Sequence, residues 1–169
     1  MWPGTWLGGV GILIVLAVSL LFAQGAGPQT QDERARLVKS ASNLERDPLA
    51  KEAPELRKWA LTWLIDHPEL DFNVCTSFLA PLLKSTHRYS AEINQQMVIS
   101  SGAFVIEHPD QMHANDAVYL AGLQGSLAVY ESILGSVPEA RLHFLDDLVE
   151  RRNKGKLPAY IASEKKGCK

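Results

Sequence analysis

The chain has 169 residues, 46% hydrophobic and 21% charged, with 17 Lys and Arg against 19 Asp and Glu. Once an export segment is set aside, that length holds one domain with a real core, and the composition is not that of a disordered chain. A formal net charge of −2 excludes a molecule built as a whole to hold a polyanion, so no nucleic-acid partner is expected.

No charged side chain precedes Asp32, and Leu7 to Ala23 forms an uncharged apolar run, "LGGVGILIVLAVSLLFA". A bilayer span needs about 20 apolar residues and a signal core fewer, so this run is intermediate. Small residues at Ala23 and Gly25 offer cleavage after either position. Residues 1–25 are therefore expected to be a signal peptide, with an uncleaved apolar anchor over residues 7–23 as the alternative. The leader "MWPGTW" lacks the usual Lys or Arg, and no cysteine follows the run to make a lipoprotein. Residues 26–31 are expected to be a flexible lead into a single helical domain, 32–169. The location is then periplasmic or secreted, with membrane contact only if the apolar helix stays uncleaved.

Downstream, helical periodicity dominates and strand signals are absent. Leu37, Ala41 and Leu44 mark a first helix over Asp32 to Arg46. Asp47-Pro48 predicts the cap and first position of the next segment, which Pro54 kinks or splits. Its later part carries Leu56, Ala60, Trp63 and Leu64, with Trp59 beside them. Asn73 is expected to cap a helix through Cys75, Phe78, Leu79 and Leu82 that bends at Pro81. Ser90 opens another, buried through Ile93, Met97 and Phe104, which stops at Glu107-His108-Pro109. Asn115 or Asp116 then begins a long helix with Leu120, Leu123, Leu127, Tyr130 and Leu134 in its stripe. No charge falls between Asp116 and Glu131, which predicts a central position. Pro138 is expected to start a helix through Leu142, Leu145 and Val149, closed by Arg151, Arg152, Lys154 and Gly155. A last short helix is expected from Leu157 to Glu164. The fold class is all-α: an irregular orthogonal bundle of six or seven helices behind an N-terminal apolar signal helix. A short helical-hairpin array of the tetratricopeptide or HEAT kind is the alternative.

Candidate chemistry is sparse. Cys75 and Cys168 stand 93 positions apart, and two exported cysteines most simply pair, with two separate thiols as the alternative. Residues 151–169 hold seven basic side chains and one acid, Glu164. Arg151, Arg152, Lys154 and Lys156 are therefore candidates for an anionic surface or partner, set against a plain solvated face. "IDHPE" at Ile65–Glu69 and "IEHPD" at Ile106–Asp110 repeat one acid-His-Pro-acid pattern 41 positions apart. Glu107, His108, His113 and Asp116 are metal-ligand types, but their spacing matches no metalloprotease helix. Both copies are better explained as helix stops, since a residue before proline leaves the helical region and His suits a helix C-terminus. Asp147 and Arg151 stand at ion-pair spacing. Ser126, in the uncharged stretch, is expected to be a small packing residue. Trp59 and Trp63, beside Arg57 and Lys58, could stack a ligand but continue a core stripe.

The stretches "LERDPLAKEA", "RKWALTWL", "NVCTSFLAPLL", "FVIEHPD", "LDDLVERRNKGKLPAYI" and the terminal "CK" resemble an uncharacterised group of exported, all-helical bacterial proteins with two cysteines. The resemblance implies export and the two-cysteine frame and carries no activity. The expected function is that of an exported non-enzymatic helical binding protein of the bacterial cell envelope, without a cofactor, its partner a protein or an envelope component. The alternative is a metal-dependent or hydrolytic enzyme using the His108 and His113 acidic cluster.

Overall fold

The computed structural model describes residues 28–168; the signal segment, its cleavage positions and residues 26 and 27 of the expected lead lie outside them, while residues 28–31 are not a flexible lead but the first turn of a helix that begins at Pro28 rather than Asp32. Seven α-helices follow in order: α1 (Pro28–Arg46), α2 (Ala53–Asp66), α3 (Ala80–Leu83), α4 (Ser90–Glu107), α5 (Asn115–Ser136), α6 (His143–Asn153) and α7 (Leu157–Glu164). Short 3₁₀ turns link several of them, and no strand occurs among the described residues. No described helix is long and apolar enough to cross a membrane.

The antiparallel pair α4 and α5 is the spine, the most extensively packed pair among the described residues. One core cluster lies toward α1 and α2 and contains Leu37, Leu44, Ala60, Trp63, Ile99 and Val118. The other lies toward α3, α6 and α7 and contains Phe78, Leu82, Met97, Leu127, Tyr130, Leu145 and Ile161. Both spine helices feed both clusters, which is why α5 carries no charge for most of its length. Close approach of the spine depends on small side chains. A Cβ added at Gly122 would stand 2.7 Å from the Met97 carbonyl oxygen and 2.4 Å from Ser101 Oγ. Ser126, fully buried in the same interface, donates to the Ile93 carbonyl at 2.9 Å and so satisfies its hydroxyl without water.

Several boundaries differ from the sequence expectation. Asp47-Pro48 does not open a helix. It forms a turn, and α2 begins at Ala53 with Pro54 in its first turn. The turn is held from outside: Arg57, buried on α2, donates to the Pro48 carbonyl. Burial of that guanidinium lowers its pKa, with the Glu92 carboxylate acting against the shift.

Asn73 does not cap a helix through Cys75. Cys75 is extended, a 3₁₀ turn runs Thr76–Leu79, and Pro81 restarts a short α3. Pro138 likewise starts only a 3₁₀ turn, Pro138–Ala140, and α6 waits until His143. There the buried Tyr130 hydroxyl accepts the Leu142 N–H at 2.9 Å and donates to Asp146 Oδ1 at 2.9 Å, so a tertiary contact sets the helix start. The other end of α6 follows expectation. Gly155, at φ +67°, closes it with bonds from Gly155 N to Arg152 O and from Lys156 N to Arg151 O.

Burial pushes the Tyr130 phenol above its ordinary pKa of 10.0. A raised folded-state pKa means the folded protein holds this proton more tightly than the unfolded chain. The associated stability is complete below pH 10.0 and is lost as pH rises through the folded value. Tyr160 is shifted the same way by burial and adds to the loss. Tyr130→Phe should therefore unfold more easily at neutral pH and lose stability less steeply above pH 10.0 than wild type. Urea midpoints on either side of that pH check this; an unchanged alkaline slope in the variant would count against it.

Candidate functional site

The two His-Pro motifs are built alike. His67 ends α2 at φ −120°, ψ 66°, and His108 ends α4 at φ −130°, ψ 65°. Each imidazole packs on the aromatic ring one helical turn earlier: His67 stacks on Trp63 at 3.9 Å between centroids, and His108 lies tilted against Phe104 at 4.7 Å. His67 Nδ1 also lies 2.7 Å from the Trp63 carbonyl, so this nitrogen carries the hydrogen. The recurring unit is thus aromatic, three residues, His-Pro. Its aromatic member sits in the sequence as part of a core stripe. The copies differ in surroundings, since Ile106 packs on the core while Ile65 is 77% exposed.

The tryptophans are likewise part of a column. Arg36 lies 3.8 Å over Trp59, which stacks on Trp63 and through it on His67. The candidate metal ligands do not assemble. Among the described residues, no group of three or more His, Cys, Asp or Glu side chains is placed to hold a metal ion. His108 lies tilted against Phe104, Glu107 lines a groove described below, and Asp116 takes both of its bonds from Lys165, at 2.8 and 2.9 Å.

The C-terminal segment is pinned as expected. Cys75 and Cys168 sulfurs lie 1.92 Å apart, at disulfide distance, with Cα atoms 5.4 Å apart. Part of its positive charge is answered within the protein, through Arg152, Lys154 and Lys165. Arg152 makes a bidentate pair with Glu131 at 2.6 and 2.8 Å, which raises the Arg152 pKa. Lys154 pairs with Glu150 and lowers that carboxyl below its usual range. Arg151 lies over Tyr160 rather than pairing with Asp147, and Asp146 pairs instead with Arg141 at 3.0 Å. Of the four proposed anion-binding residues, Arg151 and Lys156 remain exposed with no carboxylate within ion-pair distance among the described residues.

A further feature that the sequence reading did not single out is a groove of about 420 Å³ between α1, α4 and α5. Each helix contributes the same four-step pattern. From α1 come Val38, Ala41, Ser42 and Glu45; from α4, Ser100, Ala103, Phe104 and Glu107; from α5, Ala121, Gln124, Gly125 and Ala128. These positions, i, i+3, i+4 and i+7, are one helical face two turns long. A neighbouring hollow shares Val38, Ser42 and Glu107 and extends the groove along α1 past Arg34, Lys39 and Arg46.

One end of the groove is a polar network. Ser100 Oγ donates to Glu45 Oε1 at 2.7 Å, and the fully buried Gln96 donates to Ser100 Oγ at 2.9 Å and to the Ala41 carbonyl at 3.2 Å. Gly125 is required there, since an added Cβ would lie 2.0 Å from Ser100 Oγ and 2.8 Å from Glu45 Oε1. The signal for this network was the pair of polar steps Gln95-Gln96 and Ser100-Ser101 among the apolar positions of α4. His87, also missed, ties the loop before α4 to the turn before α6. Its Nδ1 accepts from the Tyr89 N–H, so its Nε2 donates to the Ala140 carbonyl at 2.7 Å.

Comparison with protein-family models, curated proteins and solved structures finds no match to this chain.

Proposed function

We propose that the protein is an exported, non-enzymatic helical binding protein of the cell envelope that seats an amphipathic helix of a partner protein in the groove between α1, α4 and α5. The observation that carries this reading is the matched i, i+3, i+4, i+7 lining from three helices. A helix laid along such a channel places its own small and apolar positions against a floor of Ala41, Ala103, Ala121 and Ala128, where close interaxial approach is possible. Glu45, Glu107 and Gln124 at the walls supply polar contacts that fix its register. A cysteine pair at disulfide distance supports an oxidising, exported location. We also take the architecture as an irregular orthogonal bundle rather than a hairpin array. Supporting this, α1 packs not only on its neighbour α2 but also on α4 and α5, which are distant in sequence, whereas solenoid units touch only adjacent units.

Ala121→Phe and Gln124→Arg put bulk and charge into the groove from positions with room to carry them. Both should reduce capture of the partner from envelope extracts about 10-fold or more, equivalent to roughly 1.4 kcal/mol, with little change in melting temperature. Reversing Arg151 and Lys156 to Glu should leave that capture intact. If the charge reversal abolishes capture and the groove variants do not, the basic end is the binding surface and the groove reading fails.

A further inference from the structure

The Cys75–Cys168 pair is asymmetric in two respects. Cys75 is 3% exposed, whereas Cys168 is half-buried and lines a cleft of about 640 Å³ with Asn115, Asp116, Tyr119 and Lys165. The Ser77 hydroxyl lies 2.8 Å from the Cys75 sulfur and 3.7 Å from the Cys168 sulfur. A disulfide sulfur carries no hydrogen, so Ser77 is the donor, and it favours Cys75.

We propose that this bond is a site of reversible thiol–disulfide exchange, opened by a small-molecule thiolate that attacks Cys168 from the cleft. The thiolate's electron pair forms a new sulfur–sulfur bond to Cys168. The Cys75–Cys168 bond breaks, and its pair leaves on Cys75 as a thiolate. One disulfide replaces another, so no external oxidant or reductant is needed, and the proton lost by the incoming thiol goes to solvent. Exchange is governed by access to the attacked sulfur and by the stability of the leaving thiolate. Here burial shields Cys75 from attack, and the Ser77 hydrogen bond stabilises it as the leaving group against the cost that burial places on a thiolate.

The opened segment has other anchors. Lys165 is held on Asp116 at 2.8 Å, and the Tyr160 hydroxyl donates to the Phe78 carbonyl at 2.9 Å. These hold Cys168 near Cys75, so the Cys75 thiolate can attack the mixed disulfide, expel the small thiol and close the bond again.

Glutathione is a suitable probe. Folded, disulfide-bonded protein is incubated with it, quenched in acid, alkylated and mapped by peptide mass spectrometry. Glutathione should be found on Cys168 and the alkyl group on Cys75, with the far-ultraviolet circular dichroism retained. Ser77→Ala should slow adduct formation several-fold, and Ser77→Thr, which keeps the hydroxyl, should restore it. Glutathione on Cys75, an equal mixture, or adducts that form only as the helical signal is lost would each overturn the proposal. An unchanged rate in Ser77→Ala would remove the role of the hydroxyl and overturn the leaving-group argument.

Discussion

Cys168→Ser should destabilise the protein by about 4 kcal/mol, because the bond it removes closes a loop spanning a separation of 93 positions. In a chain of this size that corresponds to a fall in melting temperature of roughly 8–16 °C. Cys168 is the better position to change, since the buried Cys75 would add the cost of placing a hydroxyl in the core. The effect belongs mainly to the unfolded chain, which gains conformations when the loop is opened. Spectroscopic signatures of the folded state should therefore change little while the urea midpoint drops. A loss below about 1 kcal/mol would mean that α7 and the residues after it are held by their side-chain contacts alone, and that the unfolded chain is already compact in this region.

Phe78→Ala should cost about 3–5 kcal/mol, the range for deleting a fully buried aromatic side chain. Phe78 fills the space between α5 and α7. Its ring meets Tyr119 edge-on at 5.3 Å and Tyr160 at 6.3 Å, and its carbonyl receives the Tyr160 hydroxyl. It stands three residues from Cys75, so the cavity and the cross-link act on one seam. The double variant Phe78→Ala with Cys168→Ser should depart from the sum of the two single losses by more than about 0.5 kcal/mol, as coupled neighbours do. Equilibrium urea unfolding of the four proteins measures this. Strict additivity would show that the C-terminal segment is seated independently of the Phe78 contact.

The helices themselves were legible because their signals are local. Leu37, Ala41 and Leu44 are buried on α1, and the stripe through Leu123, Leu127 and Tyr130 is buried on α5, as their spacing predicts. The all-α class, the ends of α4 and α5 and the Gly155 stop followed from periodicity, proline and glycine, which act within a turn or two of the chain. The cysteine pair followed from arithmetic on two residues and a compartment.

What the sequence by itself determined, then, is where helices run and which of their faces turn inward. Where one begins was decided elsewhere whenever a distant group satisfied the backbone. Arg57 holds Pro48, and Tyr130 holds Leu142, so two proline signals that normally open a helix produce turns instead. The candidate site lay wholly in this second category. Val38, Ala103 and Ala128 each look like ordinary members of separate helical stripes. Only the packing of α1 on α4 and α5 leaves their faces side by side, with no fourth helix above them among the described residues. The His-Pro motifs went the opposite way: their charges suggested chemistry, and the structure spends each imidazole on the aromatic ring of its own last turn. Periodicity reports one helix at a time, whereas a groove is a property of three.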